Sequence, residues 1–459
     1  MAQHDITIIG RDYDAMADVV RKHKVSVLGH TVRKLAKRGF SVRALATTAQ
    51  VRALQKTGYK VKQHEDLDKA GRKRQAELRN AQKKKGLHVE GAPVAAAGTY
   101  LSVADVEAAL AAAAASPNDT FVTLIKLPNK TWENRECHAV KIAKGSSHGR
   151  PGIYFLGGVH AREWGSPDIL INFIQKLTNA YRTNTDITIG SKRFTAAAIQ
   201  KIVNKKDIYV FPQANPDGRN YSMITEAMWR KNRRPAPAHS NNSACVGVDI
   251  NRNYDFLWNF PAYFDPAAPI ANSTNPCDHD VYIGPNAVSE PETRNAVWMW
   301  DTYPNIGYFI DVHSFGEDIL YIWGDDLDQT RKPNMNFQNS AFDGKRGIAN
   351  DAVYKEFIKA SDKTAHVKLA RHMRDAIKAV RGHLYTVEQS TALYPTAGTS
   401  DDYAFSRHLV DPAKPKVYSY TIEWGSGNNP TPFHPPYSEM QKIIQEITAA
   451  LLEFCVRAG

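Results

Sequence analysis

Three residues in this chain have types and neighbours that suit a divalent metal. His160 and Glu163 stand three apart in Leu156-Gly157-Gly158-Val159-His160-Ala161-Arg162-Glu163-Trp164, directly after an apolar run at 153–155 and ahead of a helical pattern over 167–177. An imidazole nitrogen and a carboxylate oxygen are good zinc ligands, and a catalytic zinc takes three protein ligands with a fourth position open. The candidate third is His313, in Asp311-Val312-His313-Ser314-Phe315-Gly316, which follows a second apolar run at 308–312. On spacing alone the signal is weak. The chain has 16 histidines, and a His at a strand end is more often an ordinary hydrogen-bonded one, so a structural and a metal-binding role both stay open at this level.

The elements that must position these residues read as alternating strands and helices. Strands are expected at 120–125, 139–142, 153–155, 208–211, 308–312 and 418–422, with a closing helix at 437–454. Such alternation predicts one large α/β/α domain around a mixed sheet, spanning 98–459. In open α/β sheets chemistry collects at the strand C-termini, where His160 and His313 both stand. The paired glycines 157 and 158 allow a tight exit from the strand before His160.

Length and charge bound the rest. With 459 residues, 42% hydrophobic, and a mean hydropathy of −0.45, the chain has room for a large domain and a small companion. Its net charge of +12 is uneven: residues 1–90 hold 21 Lys+Arg against 9 Asp+Glu, and the remainder balances. A basic appendage on a neutral body argues against nucleic-acid binding as the main function. No apolar run is long enough to span a membrane. The start MAQHDITIIG lacks the features of a secretory signal, so the chain is expected to be cytoplasmic by default unless a leader has been removed.

Residues 1–66 show two β-α-β halves: strands at 6–9 and 25–28 around a helix at 13–22, then strands at 42–45 and 59–61 around a helix at 49–56. This predicts a small ferredoxin-like α/β domain. A basic linker is expected over 67–97, helix-compatible until Gly86; it reads either as a solvated helix and linker or as a protease-sensitive hinge.

Seven motifs in order then resemble the zinc metallocarboxypeptidases of the pancreatic carboxypeptidase A and B family: GGVHAREW (157–164), NPDG (215–218), MWRKNRR (228–234), CVGVDINRNYDF (245–256), DVHS (311–314), LYPTAGTSDDY (393–403) and YTIEWG (420–425). The resemblance implies one zinc per chain held by His160, Glu163 and His313, with Glu423 as general base and Arg233 as the cation facing the oxyanion. Zinc lowers the pKa of bound water to about 7 while a neighbouring carboxylate moves its proton. It further implies that Asn251, Arg252 and Tyr394 hold the substrate's terminal carboxylate, that Arg162 and Arg230 line the approach for the upstream peptide, and that Asp249 orients His160 on the metal. Cys245 and Cys277 fall where relatives have a disulfide, which would point to an extracellular setting; Cys137 and Cys455 read as buried thiols. Residues 1–66 resemble the family's propeptide, released by a trypsin-like cut within 72–85. The implied partners are peptide or protein C-termini, acted on by a monomer.

Asp401 lies in the segment that lines the family's side-chain pocket, where members preferring basic residues carry an acid. A buried carboxylate there would select Lys or Arg, unless Asp401 turns away to pair with Arg407. Two departures from the family concern the cleft: Phe315 in place of a common Tyr, and a polar insert around 325–350 that either narrows the funnel or forms a surface loop. A γ-glutamyl peptidase of the cell-wall type, or a catalytically silent peptide-binding module, are the competing readings.

Overall fold

The computed structural model describes residues 3–459 except 13–14, 16–17, 20–21, 24, 36–38, 86–97, 147–148, 239, 350, 393 and 426–431. The N-terminal region is an antiparallel sheet of Gln3–Gly10, Ser26–Lys34, Phe40–Thr47 and Lys60–Asp66, in the spatial order second, third, first, fourth. Alternation puts Ile6 and Ile8 on one face of the first strand, where Val42, Ala44, Val51 and Leu54 join them in a core. The helix Thr48–Lys56 starts on a reciprocal cap between Thr47 and Gln50. The helix expected at 13–22 falls largely outside the described residues.

The next segment differs from a solvated connector. Leu67–Lys85 is a single helix with Leu67, Ala70, Gly71, Arg74, Gln75 and Leu78 buried, a stripe at helical spacing. Gln75 Nε2 donates to the Ser222 carbonyl at 2.8 Å. A Cβ on Gly71 would come within 2.2 Å of the Ala227 Cβ, so glycine is what lets the helix lie this close to the body. The many charged residues on the opposite face hide this stripe in the composition.

The body is built on an eight-stranded mixed sheet in the order Thr386–Gln389, Asp318–Tyr321, Tyr418–Trp424, Ile306–Ser314, Gly152–Gly157, Asp207–Phe211, His138–Ile142 and Val122–Lys126. The four strands from Tyr418–Trp424 to Asp207–Phe211 are mutually parallel. They are covered on both faces, which is why they read as unbroken apolar runs. Along Gly152–Gly157, Ile153 and Phe155 pack into a core shared with Gly165–Thr183, Ala360–Arg381 and Tyr437–Arg457. Tyr154 and Leu156 face the other way, toward Met299 and Trp300 of Pro291–Thr302 and Ala404 of Ser400–Val410.

The six expected strands are present with ends shifted by one or two residues, and the strands Asp318–Tyr321 and Thr386–Gln389 are additional. So is Ala360–Arg381, a 22-residue helix whose polar face is as long as its apolar one. The insert is an ordered layer. Arg346, fully buried, donates to the carbonyls of Tyr263, Phe342 and Phe337. Asp328–Gln329 pairs with Glu356–Phe357 beside it.

Candidate active site

Two parallel strands and one turn assemble the centre. His313 and Glu423 are direct register partners at the C-terminal ends of Ile306–Ser314 and Tyr418–Trp424. The neighbouring strand ends at Gly157, and Gly158 turns the chain with φ +64, a conformation that favours glycine. His160 and Glu163 follow on the short link to the helix Gly165–Thr183.

His160 Nδ1 lies 2.8 Å from Glu163 Oε1, and His313 Nδ1 lies 3.0 Å from His160 Nδ1 and 3.2 Å from Glu163 Oε2. All three residues are buried, and among the described residues they form the one group of three or more His, Cys, Asp or Glu side chains suited to a metal. The two imidazole nitrogens and the two oxygens of the Glu163 carboxylate thus lie at separations close to the roughly 3.3 Å that a tetrahedral zinc with bonds of about 2.0–2.1 Å would set between its ligands. The donor set therefore fits zinc. Ser314 N–H donates to Glu163 Oε2 at 3.1 Å. Burial pushes Glu163 up, but the two imidazoles outweigh it and hold the carboxyl far below its usual range.

Asp249 stands behind His160: its Oδ1 is 3.2 Å from His160 Nε2, and its Oδ2 accepts from Arg230 Nε and Nη2 at 3.1 and 2.8 Å. Burial opposes the ionised form, yet Arg230 and His160 together keep Asp249 well below the ordinary carboxylate range. Glu423 is partly buried, with its Oε2 enclosed and lacking a hydrogen-bond partner. Burial lifts it to about 7, His313 pulling down and Glu163 pushing up.

His160, Glu163, Ser314 and Glu423 line an open cleft of about 760 Å³, the solvent at its mouth included, together with Arg162, Arg230, Asn251, Arg252, Tyr394 and Asp401. The Arg252 guanidinium donates to the Ala271 and Asn251 carbonyls at 2.8 and 2.6 Å. Asn251 Oδ1 accepts from Ser400 N–H at 2.9 Å. Arg162 donates to Asp280 at 3.2 Å and stacks 4.6 Å above the Phe433 ring. Asp401 faces the cleft: Ser390 Oγ and Asp402 N–H donate to its carboxylate, both at 3.0 Å. Arg407 bonds to Asp301 instead. The insert at 325–350 contributes none of the cleft-lining residues among those described.

Arg233 is the exception. Its guanidinium stacks 3.8 Å from the Tyr221 ring and 4.8 Å from the Trp229 ring, with Nε 3.7 Å from Glu133, away from the cleft; the cation beside the metal cluster is Arg230. Residues 229–237 have no regular secondary structure, so no period tells which of Arg230, Lys231, Arg233 and Arg234 turns inward. The cleft also uses Leu320, Ser390, Thr396, Thr399, Thr421 and Phe433, which sequence reasoning did not single out. Thr421 was within reach, since it lies two residues before Glu423 on one strand and so shares its face. Cys245 and Cys277 are disulfide-bonded, while Cys137 and Cys455 are free and buried. Among the described residues no helix is long and apolar enough to cross a membrane.

With this geometry in hand, comparison with known proteins identifies residues 107–450 as matching the family model for zinc carboxypeptidase. The chain belongs to the zinc carboxypeptidase family. As an enzyme it is a metallocarboxypeptidase, a hydrolase. This carboxypeptidase is 29% identical to bovine (Bos taurus) carboxypeptidase O over 70% of its own length and 69% of that protein's. It is 30% identical to mouse (Mus musculus) carboxypeptidase A4 over 66% of its length and 57% of that protein's. Among solved structures it is similar in fold to carboxypeptidase A from Helicoverpa armigera, with a TM-score of 0.71 at 20% identity over 99% of this chain and 96% of that one. Thrombin activatable fibrinolysis inhibitor gives a TM-score of 0.69 at 19% identity over 100% of this carboxypeptidase and 99% of that chain. Both likenesses extend over the N-terminal region.

Proposed function

We propose that the chain removes the C-terminal residue of peptides and prefers Lys or Arg there. The observation that carries the preference is Asp401, 3% exposed in the cleft wall, its carboxylate met by Ser390, Thr421 and the Asp402 N–H and by no Lys or Arg among the described residues. A buried carboxylate met only by neutral donors is costly, and a substrate's cationic side chain would relieve that cost. Arg252, aimed by two carbonyls, with Asn251 and Tyr394 beside it, would take the terminal carboxylate; a planar guanidinium suits that group. Glu423, with one free oxygen and a pKa near 7, would take a proton from the attacking water and deliver it to the leaving amine. Arg230, fixed by Asp249, would face the developing oxyanion. Zinc held by His160, Glu163 and His313 would polarise the scissile carbonyl and acidify water.

Matched peptides ending in Arg, Lys, Phe and Leu test this. Arg and Lys substrates are expected to give a kcat/KM at least about tenfold above Phe, and Asp401→Leu to reverse the order, because it exchanges a cation's partner for an apolar floor. Faster cleavage of the Phe substrate by the unaltered protein would overturn the preference.

We infer also that residues 3–66 and the helix Leu67–Lys85 are a removable cover. Leu45 and Leu67 pack against Met228, Phe315 and Phe433, and the last two line the cleft. Of the basic residues along the helix Arg72, Lys73, Arg79 and Lys83 are exposed, whereas Arg74 is buried and bonded to Glu77. Limited trypsin treatment should therefore raise activity as a shortened chain appears; unchanged or falling activity would argue for a permanent accessory domain.

A further inference from the structure

Each histidine of the metal cluster turns Nδ1 inward and Nε2 outward, and behind each Nε2 stands a carboxylate. For His160 it is Asp249. For His313 it is Asp311, whose Oδ2 lies 2.9 Å from His313 Nε2. Asp311 sits two residues before His313 on Ile306–Ser314, so strand alternation sends both side chains to the same face. The same Oδ2 accepts from Ser400 Oγ at 2.7 Å. Asp311 is fully buried, with no Lys or Arg ion pair among the described residues. The imidazole is thus the basic group that faces it. The ring N–H is not aligned on the oxygen, and Asp311 Oδ1 has no hydrogen-bond partner, so it is the 2.9 Å approach that sets the carboxylate behind the ring.

We propose that Asp311 is a positioning residue of the metal site, keeping the His313 proton on Nε2 so that Nδ1 presents its lone pair to the metal, with Ser400 fixing the carboxylate from the far side. The inference rests on the zinc carboxypeptidase reading. A carboxylate behind a ligating imidazole fixes the tautomer and the ring orientation and raises ligand basicity. Ser400 also donates its N–H to Asn251 Oδ1, so the chain of contacts runs from the metal ligand to a residue of the carboxylate clamp. If Asp311 merely anchored Ser400, an asparagine in its place would still accept that hydroxyl and leave metal affinity unchanged.

The test is the zinc dissociation constant of the full chain, measured by competition with a chromophoric chelator, for the unaltered protein, Asp311→Asn, Ser400→Ala and, as a reference, Asp249→Asn. Asp311→Asn is expected to weaken zinc binding by roughly 10- to 100-fold, comparably to Asp249→Asn, and Ser400→Ala by a smaller factor of roughly three to ten. Zinc affinity of Asp311→Asn within twofold of the unaltered protein overturns the proposal. If Asp311→Asn does not unfold cooperatively in the metal-free state, Ser400→Ala decides, and an unchanged constant there overturns it. An unaltered protein that takes up no zinc overturns the underlying reading as well, which separates the two failures.

Discussion

On the metal side of the cleft three buried carboxylates have basic partners: Glu163 the two imidazoles, Asp249 both Arg230 and His160, Asp311 the ring of His313. On the specificity side the acids meet mainly neutral donors and one another. Asp401 accepts from hydroxyls, and Asp402 accepts from the Gly324 N–H at 3.0 and 3.1 Å. Burial raises Asp402 well above its usual range, with Asp401 and Asp325 adding to the push. Outside the cleft, in the insert, burial likewise lifts Asp325 to about 6 against the pull of Arg346, and lifts Asp326 to about 8 with help from Asp325. The carboxylates around the metal are met by bases within the protein, whereas Asp401 in the facing wall has no Lys or Arg partner among the described residues. A basic residue of the substrate would supply what is missing, whereas the metal wall asks nothing further of the substrate's side chain.

The largest expected effect breaks or sharpens the metal side. Arg230→Ala should lower kcat by roughly 10²- to 10³-fold, the usual loss when an oxyanion donor is removed. Arg233→Ala, which removes only a stacked and partly exposed cation, should stay within about threefold. Equal losses would undo the distinction drawn between the two arginines. Both variants would be assayed on one substrate under saturating conditions.

A smaller effect probes the buried acids of the insert, outside the cleft, through pH. Asp326 ionises near 3.8 when unfolded, the ordinary value for its carboxyl, but burial and the neighbouring Asp325 push it up to about 8 when folded. Between those values the unfolded chain releases a proton that the folded chain retains, so this group lowers stability as pH rises from about 4 to 8 and adds no further change above that. The slope for one full proton is about 1.4 kcal/mol per pH unit. Asp326→Asn removes the term: its stability should fall less steeply than that of the unaltered protein between pH 5 and 8, whatever its absolute value after losing one of the bonds from Leu327 and Gly347. Parallel curves from thermal unfolding across that range would sink the idea that Asp326 keeps its proton.

The strands that carry the metal cluster were legible because strands buried on both faces announce themselves by apolar runs, but the ligand set itself came from the ordered family motifs, since a His after a strand is a weak signal alone. Asp311 and Thr421 share a strand face with His313 and Glu423, and counting back two residues would have found them. Arg233 was misplaced because irregular backbone carries no period from which to read side-chain direction. Phe433 follows a stretch of Gly, Asn and Pro, and nothing in that composition marks it as a wall of the cleft. The strand pairings at the far edge of the sheet, Asp318–Tyr321 with Thr386–Gln389, involve four residues each, too few to establish a period against the surrounding turns.

The helix Leu67–Lys85 carries one more consequence. Its buried stripe holds it on the body by contacts that do not depend on the peptide bonds beyond Lys83. A cut there would leave the cover seated, and what changes is the molecularity: a contact maintained at the high effective concentration of a tether becomes one between two separate chains. The onset of activity after cleavage would then track dilution of the cleaved protein as well as the extent of the cut.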